Sequence, residues 1–151
     1  MYTTELSRVV AAPPAAVYRA LLDPDAVAEW RVPAGMRARV HEFEPREGGK
    51  FRVSLTYRAA GDTGKSGAHT DTYHGHFVRL VPDQQVVEDI EFETSDPRLR
   101  GVMTMTTTLR PIDGGTEVHL RHDGVPDAVP PADNEAGSRM ALDNLARYVE
   151  A

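Results

Sequence analysis

Residues 130–151 read PPADNEAGSRMALDNLARYVEA, and this stretch decides the fold. Neither Pro130 nor Pro131 can lie inside a helix, so a helix starts at or just after them. Asp133 and Glu135 then sit near the positive end of its dipole. Wound at about 100° per residue, the remainder places Asn134, Ser138, Ala141, Leu142, Leu145, Tyr148 and Val149 on one stripe. Arg139, Asp143, Arg147 and Glu150 fall opposite, with Arg139/Asp143 and Asp143/Arg147 spaced for ion pairs along the helix. The C-terminal half of the stripe is apolar enough to seal a core. Its N-terminal half carries Asn134 and Ser138, which a core does not ask for. About 20 residues at ~1.5 Å rise make a rod of ~30 Å, long enough to lie across a whole sheet.

The rest of the chain must supply that sheet. Residues 3–11 read as a first strand, closed by Pro13 and Pro14. Residues 15–22 form a short helix with Val17 and Leu21 on one side. Asp23 caps a second, brief helix with Pro24 at its first position, ending near Trp30 and Pro33. From Met36 onward the period becomes two. Residues 37–44 and 50–58 are strands joined by a turn through Gly48 and Gly49. The second alternates cleanly, with Phe51, Val53, Leu55 and Tyr57 on the face turned to the final helix. Lys50, Arg52, Ser54, Thr56 and Arg58 take the solvent face. After a Gly-rich loop at 59–69, strands follow at 70–81, 84–94, 102–110 and 116–123, separated by turn sequences. The order is strand, two short helices, six strands, one long helix. Short turns between strands and helices gathered at the chain ends predict α+β: a curved antiparallel sheet gripping the C-terminal helix.

The 151 residues predict a single domain, and the absence of cysteine excludes disulfides and thiolate chemistry. The N-terminal residues lack a basic segment followed by an apolar one, and no apolar run is long enough to span a bilayer. A cytoplasmic protein without membrane insertion is expected. The net charge of -6 argues against nucleic acid as the main partner.

Several stretches, in order, carry a family resemblance. They are residues 10–18 (VAAPPAAVY), 21–35 (LLDPDAVAEWRVPAG), 44–51 (EPREGGKF), 73–82 (YHGHFVRLVP), 115–126 (GTEVHLRHDGVP) and 134–149 (NEAGSRMALDNLARYV). With them the chain resembles the START-like, or SRPBCC, superfamily and its helix-grip fold. More narrowly it is similar to proteins named after the activator of the ninety-kilodalton heat-shock-protein ATPase. The resemblance implies a cavity between sheet and helix, the feature that superfamily carriers, cyclases and oxygenase domains share. It implies no particular reaction. Related proteins often carry Trp where this chain has Ser138, directly after Gly137, which implies more room or a wetter pocket here.

Within that frame the cavity candidates are Trp30, Phe51, Tyr57, Glu88, Met103, Met105, His122, Asn134 and Ser138. Glu88 shares a strand face with Val86, Ile90 and Phe92, whereas Asp89, Glu91 and Glu93 form a solvated row on the other. A carboxylate in an apolar cavity would be an acid, a base or a ligand anchor; the plainer reading pairs it with an arginine or solvent. His122, in phase with Val118 and Leu120, points inward as a ligand contact, a base or a satisfied structural histidine. Met103 and Met105 offer adaptable apolar surface, or ordinary core filling. The only tryptophan, Trp30, plugs the space between helices and sheet. His74 and His76 share a face but have no evident third ligand, so no metal site is expected. His41 and Glu42 cannot both point inward. There is no phosphate-binding glycine loop or nucleophile elbow, and no cofactor is expected. The leading expectation is a module binding a small hydrophobic molecule. A cyclase-, dehydratase- or hydrolase-type enzyme comes second, and a chaperone-interacting protein third.

Overall fold

The computed structural model describes residues 1–57 and 70–151. The Gly-rich loop and Arg58 lie outside the described residues. Strand β1 (Tyr2–Val10) leads into α1 (Pro14–Leu21) and α2 (Pro24–Trp30). Six strands follow: β2 (Met36–Phe43), β3 (Lys50–Tyr57), β4 (Thr70–Val81), β5 (Gln85–Phe92), β6 (Met103–Ile112) and β7 (Gly115–Val125). Helix α3 (Pro131–Glu150) ends the chain. A short 3-10 turn at Pro97–Leu99, opened by the Asp96 side chain, interrupts the β5–β6 connection that sequence reads as plain loop. Asp23 caps α2 as expected, its Oδ1 accepting from the Asp25 backbone N–H at 2.9 Å.

All seven strands form one antiparallel sheet in the order β1-β7-β6-β5-β4-β3-β2. This is the expected α+β helix-grip arrangement. Bulges near Tyr2, between Val40 and Glu42, and between Phe77 and Arg79 bend it. Gly75 lies opposite Phe51, and a Cβ there would meet the Asp89 carbonyl oxygen at 1.8 Å and Phe51 Cζ at 2.8 Å. Phe51 therefore fills the space that Gly75 leaves, beside Tyr73 and Phe77 at ring-centroid distances of 6.2 and 5.1 Å.

Helix α3 packs chiefly on β1, α2 and α1. It buries Leu142, Leu145 and Ala146. Two details depart from the helical-wheel expectation. Tyr148 is 37% exposed, and the small Ala146 takes the buried position that lets the helix approach closely. Asp143 reaches Arg8 on β1 at 2.7 Å instead of an arginine along its own helix.

On β3, Phe51 and Val53 are buried and Lys50 and Arg52 are exposed, as the alternation requires. Ser54, assigned to solvent, is buried instead. On the outer face its hydroxyl lies 2.8 Å from Thr72 Oγ1 and 2.7 Å from His41 Nε2, so neighbouring side chains cover it. The bulge after Val40 leaves both His41 and Glu42 exposed. No helix among the described residues is long and apolar enough to cross a membrane.

Candidate functional site

Helix α3 follows β1 from Asn134 at Thr4 to Asp143 at Arg8, while its N-terminal half stands off from the middle of the sheet. The intervening cavity has a volume of about 470 Å³. Its floor is the buried apolar surface of Ile90, Met103 and Leu120 on the sheet, with Leu145 of α3 above and Trp30 among its lining. The exposed lining residues Pro33, Ala128, Asp133, Gly137 and Met140 mark its mouth. A Cβ added to Gly137 meets nothing within 4 Å, so this turn of the helix lies over open space.

Of the residues singled out from sequence, Trp30, Glu88, Met103, Met105, His122, Asn134 and Ser138 all line this cavity. Phe51 and Tyr57 do not. Phe51 is spent covering Gly75, beneath Tyr73 and Phe77. Tyr57 ends β3 opposite Met36, one inward position beyond Leu55, which is the β3 residue in the lining. His74 turns to Glu93, with Nδ1 3.0 Å from Oε2.

The polar groups of the cavity follow from strand register. Glu88 on β5 lies opposite Met105 on β6, Met105 opposite His122 on β7, and His122 opposite Thr4 on β1. Directly opposed residues share a face, so these four make one row across the sheet, with Glu88 and His122 about 10 Å apart by strand spacing. Arg31 reaches this row from the C-terminal end of α2. Its Nη1 donates to Glu88 Oε1 at 2.9 Å and its Nη2 to Met105 Sδ at 3.2 Å. The guanidinium also lies 5.5 Å from the centroid of the Tyr73 ring. Glu88, 6% exposed, is thus neutralised by a largely buried arginine. Burial pulls the Arg31 pKa down, but the charge of Glu88, the nearby Tyr73 and the hydrogen bond to Glu88 outweigh it, so the net shift is upward.

His122, 8% exposed, is held by a relay. The Thr4 hydroxyl donates to Asn134 Oδ1 at 2.5 Å, which turns the Asn134 amide nitrogen toward His122 Nδ1 at 3.1 Å. Nδ1 then accepts, so the neutral ring carries its proton on Nε2. Burial, helped by the Arg31 charge and opposed by Asp123, lowers the His122 pKa to about 4. The imidazole is therefore neutral at neutral pH. Its Nε2 is buried without a hydrogen-bond partner among the described residues, and so is the hydroxyl of Tyr73. Burial also raises the Tyr73 pKa; Arg31 opposes the shift and Glu88 adds to it. The phenol stays protonated.

Among the cavity residues that sequence reasoning did not single out, Arg31 and Tyr73 carry the polar chemistry. Arg31 sits one residue past a helix, where periodicity carries no orientation. Tyr73 left a usable signal: in Tyr73-His74-Gly75-His76-Phe77, two aromatics flank a glycine on one strand face, where a third ring from a neighbouring strand fits.

The comparisons with known proteins agree with this architecture. Protein CV1439 from Chromobacterium violaceum superposes with a TM-score of 0.88 at 32% identity, covering 100% of this chain and 99% of its own. A Rhodobacter sphaeroides protein gives 0.82 at 23% identity, covering 99% and 92%. The AHSA1-like protein from Aeromonas hydrophila gives 0.73 at 22%, covering 98% and 92%. No curated protein matches the chain. Residues 11–150 match the pattern of the family described as Activator of Hsp90 ATPase homolog 1-like protein. With that match running over nearly its whole length, the chain belongs to the Activator of Hsp90 ATPase homolog 1-like family.

Proposed function

We propose that this protein binds a small, predominantly apolar molecule in the cavity between the sheet and α3. The observation that carries the reading is the unfilled volume of about 470 Å³ beneath Asn134, Gly137 and Ser138, walled mainly by aliphatic, thioether and indole surface. A packed interior leaves few voids larger than a water, whereas ligand pockets begin at roughly this size. Replacing Ser138 by Trp tests it. In a cavity the added ring occupies free space, so the urea midpoint holds while binding of the neutral dye N-phenyl-1-naphthylamine is lost. In a close-packed core the same change costs about 1–3 kcal/mol. A destabilised variant, or dye binding equal to that of the parent, overturns the reading.

A second reading, an enzyme working in the same cavity, draws on the convergence of Arg31, Tyr73, Glu88 and His122. Two features rank it below binding. Glu88 is engaged by Arg31, and the relay from Thr4 makes His122 Nε2 a donor instead of a base. Groups that present protons without titrating near neutral pH suit recognition better than general acid–base turnover.

A further inference from the structure

The two unpartnered buried atoms indicate what kind of molecule fits. His122 Nε2 carries a proton and Tyr73 Oη carries another, and neither has a partner among the described residues. Both side chains are more than nine-tenths buried and both line the cavity. Leaving a buried donor unsatisfied is costly, so each is stabilised by an occupant that brings an acceptor. The charge balance narrows the choice. Arg31 is matched by Glu88, His122 is neutral, and Asp133 adds a carboxylate near the mouth. An anionic head would enter against Asp133 with no uncompensated cation to receive it, and a cationic head would face two donors.

We propose that the cavity selects neutral carbonyl compounds, meaning ketones, esters or quinone-like rings with an apolar body, whose oxygen accepts a hydrogen bond from His122 Nε2–H or from Tyr73 O–H, donors that the register sets three strands apart. This rests on the cavity-binding reading above and adds the head group to it. Thr4 and Asn134 act as positioning residues that hold the imidazole proton on Nε2.

The test is a matched set with one aromatic body: 2-propylnaphthalene, 2-propionylnaphthalene and 2-naphthylacetate. Each is titrated calorimetrically into the wild-type protein, Tyr73→Phe and His122→Gln. The ketone is expected to bind about tenfold or more tightly than the hydrocarbon, and the carboxylate more weakly than either. In Tyr73→Phe or in His122→Gln, whichever removes the donor the ketone uses, its advantage should shrink while hydrocarbon binding stays unchanged. Infrared spectra of the ketone labelled with carbon-13 at its carbonyl should show a lowered C=O stretch in the wild type that recovers in that same variant. Equal affinities for ketone and hydrocarbon, or an unshifted carbonyl band, overturn the carbonyl assignment and leave the cavity reading standing. Preference for the carboxylate overturns it equally. If none of the three binds, the cavity reading itself falls.

Discussion

His122 makes the stability of this protein acid-sensitive between about pH 4 and 6.5. Its pKa falls from 6.5 to about 4 on folding, because burial and the Arg31 charge disfavour the imidazolium. The folded state therefore binds fewer protons than the unfolded chain between these values, and stability drops as pH falls through the window. Above pH 7 the ring is neutral in both states and contributes nothing. At pH 5 the unfolded ring is almost fully protonated and the folded one is not, a loss of about 2 kcal/mol, which approaches about 3 kcal/mol below pH 4. The carboxylates of Glu44, Glu93, Asp96 and Asp123 are all held below their ordinary range, chiefly by hydrogen bonds. The assay is urea unfolding at pH 7, 6 and 5 for the wild type and His122→Gln, whose side-chain carbonyl can still accept from Asn134. The wild type should lose about 2 kcal/mol more than the variant on going to pH 5. Parallel curves for the two proteins would refute the burial argument.

Three further outcomes follow from the packing. Arg31→Met leaves Glu88 buried without its counter-charge and should cost about 3–5 kcal/mol by denaturant melt, with Glu88→Gln in the same chain restoring most of it; a single-variant loss below about 1 kcal/mol contradicts the pairing. Gly75→Ala drives a methyl into the Asp89 carbonyl and the Phe51 ring, so a destabilisation of about 3 kcal/mol or more is expected, and a midpoint equal to that of the parent counts against the close approach. Ending the chain at Pro130 removes Leu142 and Leu145, worth about 3–6 kcal/mol together, and uncovers β1 and α1 besides. Residues 1–130 should show no cooperative melt in circular dichroism.

Much of this was legible because periodicity fixes faces. The alternation around Glu88 placed a carboxylate on an apolar strand face, and the structure finds it there; what it could not supply was Arg31, 57 positions away in the chain. Periodicity orients a side chain without naming its partner across the fold. The same limit explains Ser54, read as solvent-facing because its strand neighbours are, yet roofed by His41 and Thr72 from adjacent strands. Tyr148 illustrates a different failure. A helical wheel treats the whole stripe as equally covered, whereas Tyr148 turns to a surface groove with Met36 and Arg147. The empty volume itself left only an indirect trace, in Asn134, Gly137 and Ser138, since a sequence records which atoms are present and not where they fail to meet.

The seam between β1 and β7 sets the order in which the molecule can be assembled. Val10 pairs with Thr116 and Tyr2 with Val125, so β1, made earliest of the seven strands described, borders only β7, made latest of them. At ~5–20 residues per second, β1 waits about 5–20 s for its neighbour. During that interval β2 and β3, then β4 to β6, can zip as successive hairpins without it. Closing a loop of about 100 residues costs more than closing a hairpin, though only logarithmically so. The seam should therefore form late, and a refolding experiment should show β1 amides gaining protection from hydrogen exchange after those of β4 and β5. Until it does, the sheet carries an open edge at β7, and the growing chain is most prone to pair with a neighbour in that period.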